Sequence, residues 1–364
     1  MTRMNKTVYA AAAALMVLVA AGYVLFYMPT EEPESQRLRV LCAGSLVYPL
    51  AEVEEAFEAE YPWIDVEVEG HGSIQVIRHP VELDDRADLL MVADYSLIPL
   101  MMYGAPLPDG SGNYTDWYIR FAGNEVVLAY TGMSRYADQL TEDNWYEILA
   151  REDVKLGISN PIIDALGYRG LQLLVLAEYH YGEPGIFETA MGDWFSPAFE
   201  SVEVGEKTVV FVPEEERPVG DKIAMRASSI QLSPLLDSGG VDYAFLYLSN
   251  AEQYGYGYLR LPREVNMGDP ALDAFYARAQ VKFQHQRFQS IGTDRYGKTI
   301  YYGLTIPANA ENPEAAALFA EFILGGEGGA IFESLSHPVF EPSVTDNMDG
   351  VPEELRPYLV EEPQ

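Results

Sequence analysis

A chain of 364 residues with 48% hydrophobic residues and a single cysteine is neither disordered nor able to close an internal disulfide. Its net charge of −33 makes nucleic acid and anionic lipid surfaces poor partners. The five histidines are scattered, with no HExxH or paired-cysteine spacing, so a preformed zinc site is not expected, and neither is any cofactor.

The N-terminus carries Arg3 and Lys6, then an unbroken apolar run from Val8 to Met28, then Glu31, Glu32 and Glu34. As a helix such a run spans roughly 30 Å, the thickness of a bilayer core. Basic residues before it and acidic ones after it predict a cytoplasmic N-terminus, with the rest of the chain outside. Two readings stand: an uncleaved anchor or a cleaved secretory signal. The length of the run and the lack of a clear small-x-small site before Pro29 favour the anchor. Leu18–Gly22 looks like the approach to a lipid-attachment cysteine, but Tyr23 stands where that cysteine would be. Either way, residues 1–28 export the remainder of the chain, and the Pro- and Glu-rich residues 29–37 tether it.

Leu38–Ala43 then reads as a buried strand that holds Cys42 as a small core residue, with Gly44-Ser45 as its turn. Leu46–Tyr61 has apolar residues at helical spacing, and Ile64–Glu69 alternates as a strand. Gly70–Ser73 closes that strand, a helix begins at Ile74, and Asp88–Val92 is a third strand. This βαβαβ run predicts a parallel sheet with helices on both faces. After Pro106–Asn113, strand-like pieces (Trp117–Phe121 and Glu125–Tyr130) flank Gly123-Asn124, and Asn124 and Glu125 suit a hinge better than a ligand site. Helices are expected at Asn144–Ala150, Gly170–Tyr181 and around Leu232–Leu236. Strands are expected at Lys155–Ser159, Thr208–Val212, Val241–Tyr247 and Ile300–Ile306. Glu214–Glu216 reads as a solvated loop. The helix Pro313–Leu324, a glycine-rich break and a shorter helix to about Leu335 close the pattern. Two α/β lobes, the second inserted into the first, account for this order; one larger α/β domain is the alternative.

Three strand-to-helix junctions share one chemistry: Gly44-Ser45, Gly72-Ser73 and Asn160–Asp164. The start of a helix leaves backbone N–H groups unpaired and carries partial positive charge, so it suits an anion without any Lys or Arg. Taken singly, each junction is an ordinary N-cap. Together, at the ends of parallel strands, they can face one crevice.

Several blocks resemble the archaeal-type tungstate/molybdate-binding proteins of ABC importers. They are Val40–Leu46, His71–Arg78, Ala87–Ser96, Phe121–Thr131, Ser159–Arg169, Val241–Tyr247 and Tyr302–Pro307. They keep the family's order and cover about residues 38–335. The resemblance implies a two-lobed periplasmic-binding-protein fold of the second type, with two crossing strands and a cleft that closes on one oxyanion. Lobe I would comprise residues 38–120 and 251–345, lobe II residues 121–250, and residues 346–364 a C-terminal tail. Gly44 and Ser45 match the family's first serine turn and Ser73 its second. Asp164 matches a carboxylate that approaches the metal of the oxyanion, Ala165 and Leu166 the backbone after it, and Tyr247 a hydroxyl donor. Two positions depart from the pattern. Ala165 replaces a common proline. Ser229, in Arg226-Ala-Ser-Ser229, replaces the glutamate that supplies a second carboxylate. Either the metal has fewer protein oxygens here, or the chain prefers another oxyanion.

Neutral donors read protonation, because an unprotonated oxyanion accepts at every oxygen. This favours molybdate, tungstate or sulfate over phosphate, and size separates the first two from sulfate. Asp164 beside an anion makes sense as a ligand to the metal, as a protonated donor, or as an N-cap turned away. Arg78 and Arg169 can buttress the turns from behind, whereas Arg226 can pair with a surface acid. The expected protein is thus a monomeric receptor outside the cytoplasmic membrane, held there by its N-terminal helix or released after cleavage. It would pass molybdate or tungstate to a permease and its ATPase. A receptor for sulfate or another small anion is the near alternative. An exported enzyme on the same scaffold is disfavoured, since no Ser–His–acid or Cys–His set is assignable to the cleft. A sensor ectodomain is disfavoured for want of a signalling domain.

Overall fold

The computed structural model describes residues 35–284 and 292–362. The expected membrane anchor over 1–28 lies outside the described residues. Among the described residues no single helix is long and apolar enough to cross a membrane.

In chain order the strands of the first half are β1 (Gln36–Ala43), β2 (Ile64–His71), β3 (Leu89–Val92), β4 (Ile119–Asn124), β5 (Val126–Tyr130), β6 (Leu156–Ser159), β7 (Glu200–Val204) and β8 (Lys207–Val212). Those of the second half are β9 (Ile223–Arg226), β10 (Tyr243–Tyr247), β11 (Gly257–Arg260), β12 (Ala279–Phe283), β13 (Asp294–Tyr296), β14 (Ile300–Thr305), β15 (Val339–Thr345) and β16 (Leu359–Glu361). They form three sheets, in the orders β16-β15-β4-β14-β3-β1-β2, β11-β5-β10-β6-β9 and β13-β12-β8-β7.

The first sheet is the core of one lobe. Its β3-β1-β2 part is parallel, as the βαβαβ reading requires, and β14 joins antiparallel between β3 and β4. The helix Val47–Glu60 covers one face, with Phe57 packed edge-on against Phe319 (4.9 Å) and Phe322 (5.5 Å) of the helix Pro313–Leu324. The second and third sheets belong to the other lobe, where the helix Ala165–Tyr181 is buried along most of its length. Cys42 lies in the first core, fully buried, and burial pushes its thiol well above the ordinary range.

The chain crosses between lobes twice, once between Asn124 and Val126 and again between Tyr296 and Ile300. Three expectations change. The return to the first lobe comes near Ile300 and not at 251, because β11 pairs with β5, and β12 with β8. Residues beyond 345 are not merely a tail, since β16 pairs with β15. The helix expected from Gly170 starts at Ala165. Gly167 sits inside it, where an added Cβ would lie 2.6 Å from the Ser159 carbonyl oxygen. That glycine serves close packing of the helix on the preceding turn and does not break it.

Candidate functional site

The three junctions singled out in the sequence meet where the lobes face each other. Gly44 and Ser45 open a short 3-10 turn (Gly44–Leu46) after β1, and Ser73 is the first residue of the helix Ser73–Glu82. Asp164, Ala165 and Leu166 sit at the start of the helix Ala165–Tyr181, and Tyr247 ends β10. All seven are buried.

Contacts across the interface tie them together. The Ile74 amide donates to the Ile163 carbonyl at 3.2 Å. The Ser73 amide donates to Asp164 Oδ1 at 3.4 Å. An added Cβ on Gly72 would overlap the Ile163 carbonyl oxygen and lie 3.0 Å from the Ala227 carbonyl oxygen. One on Gly44 would lie 3.4 Å from Ser228 Cβ. Ser229 is buried at the start of the turn Ser229–Leu232, directly after Ser228.

The three hydroxyls share one arrangement. Ser73 Oγ accepts the Ala93 amide at 3.1 Å, and Ser45 Oγ accepts the Tyr302 hydroxyl at 3.0 Å. Tyr247 Oη accepts Arg169 Nη1 at 2.6 Å. Each oxygen already has a donor, and none donates a hydrogen bond to another described residue. A hydroxyl has one proton, so each of the three still has it to give. Asn124 extends the pattern by one step, since its Nδ2 donates to the Tyr302 oxygen at 3.1 Å. The ring continues through Tyr247 and Tyr302, whose ring centroids are 5.9 Å apart, and through Arg169, which also donates to the Ala93 carbonyl at 2.8 Å.

Asp164 is 4% exposed. It occupies the N-cap position but takes no capping hydrogen bond from its own helix. Its Oδ2 is buried with no hydrogen-bond partner among the described residues. Burial pushes its carboxyl up to about 6, against the opposing pull of the Ser73 amide and the Arg169 charge. Burial, with the Asp164 charge nearby, likewise holds the Tyr302 phenol up at about 12, so the phenol keeps its proton. The turn beneath is fixed by Asn160, whose Oδ1 accepts the Ile162 amide at 2.8 Å and whose Nδ2 donates to Glu216 at 2.7 Å. Glu216 is therefore not part of a solvated run, as its sequence context suggested.

Of the two arginines expected behind the turns, Arg169 is there. Arg78 pairs instead with Glu82 of its own helix at 2.6 Å. Arg226 is exposed and bonds the Met225 carbonyl. Asn124 stands at the first crossing, where its Nδ2 also reaches Ser249 Oγ at 2.8 Å. Sequence reasoning missed Tyr302, Ala93 and Asn250, whose Nδ2 holds the Ser45 carbonyl at 3.1 Å. Tyr302 lay in a block quoted for the resemblance, but nothing local marked it as a partner of Ser45. A separate cleft of about 590 Å³ contains Arg37, Arg39 and Arg86, yet each is paired with acids: Glu67, Glu69 and Glu311 respectively. It offers an anion no spare cation.

Two lobes joined by two crossings, with helix starts and free hydroxyl protons buried between them, define a binding protein that closes on a small ligand. The chain belongs to the bacterial extracellular solute-binding protein family, whose sequence profile matches residues 38–334. It is 37% identical over 332 residues to an uncharacterised solute-binding protein of Methanococcus maripaludis, covering 91% of this chain and 94% of that one. It is 35% identical over 331 residues to the molybdate/tungstate-binding protein WtpA of Pyrococcus abyssi, covering 89% and 90%. These relatives bear out the resemblance read from the sequence blocks. Among solved structures, the substrate-binding protein of an ABC transporter from Agrobacterium tumefaciens superposes with a TM-score of 0.52 at 15% identity, covering 85% of this chain and 81% of that one. The sulfate-binding protein SubI of Mycobacterium tuberculosis gives 0.51 at 12% identity, covering 84% and 88%. These likenesses show the two-lobed fold.

Proposed function

We propose that the protein captures molybdate or tungstate outside the cytoplasmic membrane and passes it to an ABC permease and its ATPase. The observation that carries this reading is the set of three buried hydroxyls, on Ser45, Ser73 and Tyr247, each accepting one hydrogen bond and each with its proton free. They supply three donors beside one carboxylate, Asp164, while the Ser73 and Ile74 amides are taken up by Asp164 and the Ile163 carbonyl. A dianion leaving water needs such donors at every oxygen, since unpaired it would cost many kcal/mol. An oxyanion that kept a proton would waste one of them. The WtpA relative, of matching length, supports the choice of ligand.

Asp164 is the position where this set differs from a plain oxyanion cradle. Its Oδ2 has no hydrogen-bond partner among the described residues, so it is available to the metal of a bound oxyanion or, when protonated, to one of its oxygens. Ser229 leaves the site with one carboxylate. Replacing Ser229 by glutamate is expected to tighten tungstate binding more than sulfate binding, as read by titration calorimetry. Equal or weaker tungstate binding in that variant would count against a metal-directed site.

The functional test is a thermal-shift screen of molybdate, tungstate, sulfate and phosphate. Because a ligand of the folded state stabilises by about 2.7 kcal/mol at one hundred times its dissociation constant, tungstate and molybdate should raise the melting temperature at micromolar concentration. A shift with sulfate alone would move the assignment to the sulfate class, and no shift with any of the four would remove it. The N-terminal helix as anchor and the monomeric state belong to the same proposal.

A further inference from the structure

Beside the hydroxyls lies a set of charged side chains that are mostly buried. Arg169 is 1% exposed; its Nη1 holds the Tyr247 oxygen and the Ala93 carbonyl, and its Nη2 has no hydrogen-bond partner among the described residues. On its other side, Arg169 Nη2 lies 3.8 Å from Asp94 Oδ2, which also accepts the Tyr168 hydroxyl at 2.7 Å. Asp94 Oδ1 is 2.9 Å from Lys298 Nζ, which donates as well to Ser96. One buried carboxylate thus faces two cations. Burial works against ionisation of Asp94, but Lys298 and Arg169 hold its carboxyl well below the usual range. A further buried guanidinium, on Arg295, lies over the Tyr168 ring at 5.7 Å, with Asp294 beside it. Asp164, buried at the start of the facing helix, is the remaining carboxylate. Arg169, Lys298 and Arg295 thus stand against Asp94, Asp294 and Asp164, an even count of charges in a protein that is strongly negative as a whole.

We infer that Arg169 and Lys298 set the charge selectivity of the cleft, so that it favours a doubly charged tetrahedral oxyanion over a singly charged one of the same size. This rests on the oxyanion reading above. The hydroxyls also hold a dianion more strongly than a monoanion, but the dianion loses far more hydration on entering the cleft. The charges of Arg169 and Lys298 add to that preference, because their attraction scales with the ligand's charge and is weakly screened where water is excluded. Arg169 has a second effect. By donating to Tyr247 Oη, it keeps that hydroxyl a donor toward the cleft. Both are positioning residues.

Tungstate and perrhenate form a matched pair for the test: both are tetrahedral oxoanions of neighbouring heavy metals, with charges of −2 and −1. Titration calorimetry on the full chain in detergent should give a tungstate affinity at least roughly one hundred times that for perrhenate. Arg169→Gln and Lys298→Gln should each lower that ratio by at least about tenfold, chiefly by weakening tungstate. Arg169→Lys should keep the ratio. Lys298 is a partly exposed side chain, so its variant carries the test if Arg169→Gln does not fold. If both anions weaken together and the ratio holds, these residues merely pin the lobes and the inference is overturned. A wild-type protein that binds neither anion would overturn the oxyanion reading itself.

Discussion

Replacing Gly72 by alanine is expected to hold the lobes apart and weaken tungstate binding by at least roughly a hundredfold, about 2.7 kcal/mol. The added Cβ would overlap the Ile163 carbonyl oxygen and lie 2.9 Å from its carbon. Both belong to the backbone of the opposite lobe, so no side-chain rotation relieves the clash. Gly72 has φ −67° and ψ 143°, which alanine adopts freely. The substitution therefore spares the local turn and acts on the approach of the lobes, including the Ile74–Ile163 bond. Small-angle scattering with tungstate should show the wild type compact and the variant extended, with the ligand-free melting temperature little changed. Wild-type affinity and the same compaction in the variant would mean that this interface is not the closed state that binds.

Removing the Asp164 carboxylate should weaken tungstate binding by at least roughly tenfold, about 1.4 kcal/mol. The carboxylate has one oxygen on the Ser73 amide and one without a hydrogen-bond partner among the described residues, so Asp164→Ala deletes an interface contact and the carboxylate proposed to face the ligand. Unchanged affinity by titration calorimetry would take Asp164 out of contact with the ligand. Its pH behaviour gives an independent reading. Burial raises its pKa from 3.8 to about 6, so the folded state prefers the protonated form. That contribution is complete below about pH 4 and is lost as the pH rises through about 6. The difference corresponds to roughly 3 kcal/mol. Ligand-free wild type should therefore lose stability between pH 4 and 7 relative to Asp164→Asn, which cannot ionise. Parallel stability curves for the two proteins would show that the carboxyl is not buried in the ligand-free state.

The sequence announces the parts of the fold that repeat a local period. The β1–β3 run, with its intervening amphipathic helices, is legible because its apolar residues recur at helical and strand spacings. The strand Glu200–Val204 is not, since its Ser-Val-Glu-Val alternation is short and the strand lies mostly exposed. Overlooking the later strands β11–β13 placed the return to the first lobe some fifty residues too early. Gly167 lies in the first turn of a helix that the sequence reading begins only at Gly170: a residue that weakens helices in isolation is required by the tight seat of this helix on Ser159–Pro161. The site divides the same way. Ser45, Ser73 and Asp164 stand at strand ends, where chain order alone points to a crevice. Their partners do not, because Tyr302 is 257 residues from Ser45 and 178 from Asn124. Only the closing of the sheets brings such polar groups together, and no local pattern records which hydroxyl meets which.

A crystal grown with tungstate, with tungsten located by its anomalous scattering, tests the central claim most directly. The prediction is a single metal atom between the lobes, its oxygens within hydrogen-bond reach of the Ser45, Ser73 and Tyr247 hydroxyls, with Asp164 Oδ2 the nearest carboxylate oxygen. Tungsten bound elsewhere, or a cleft in which no one ion touches all three hydroxyls, would contradict it.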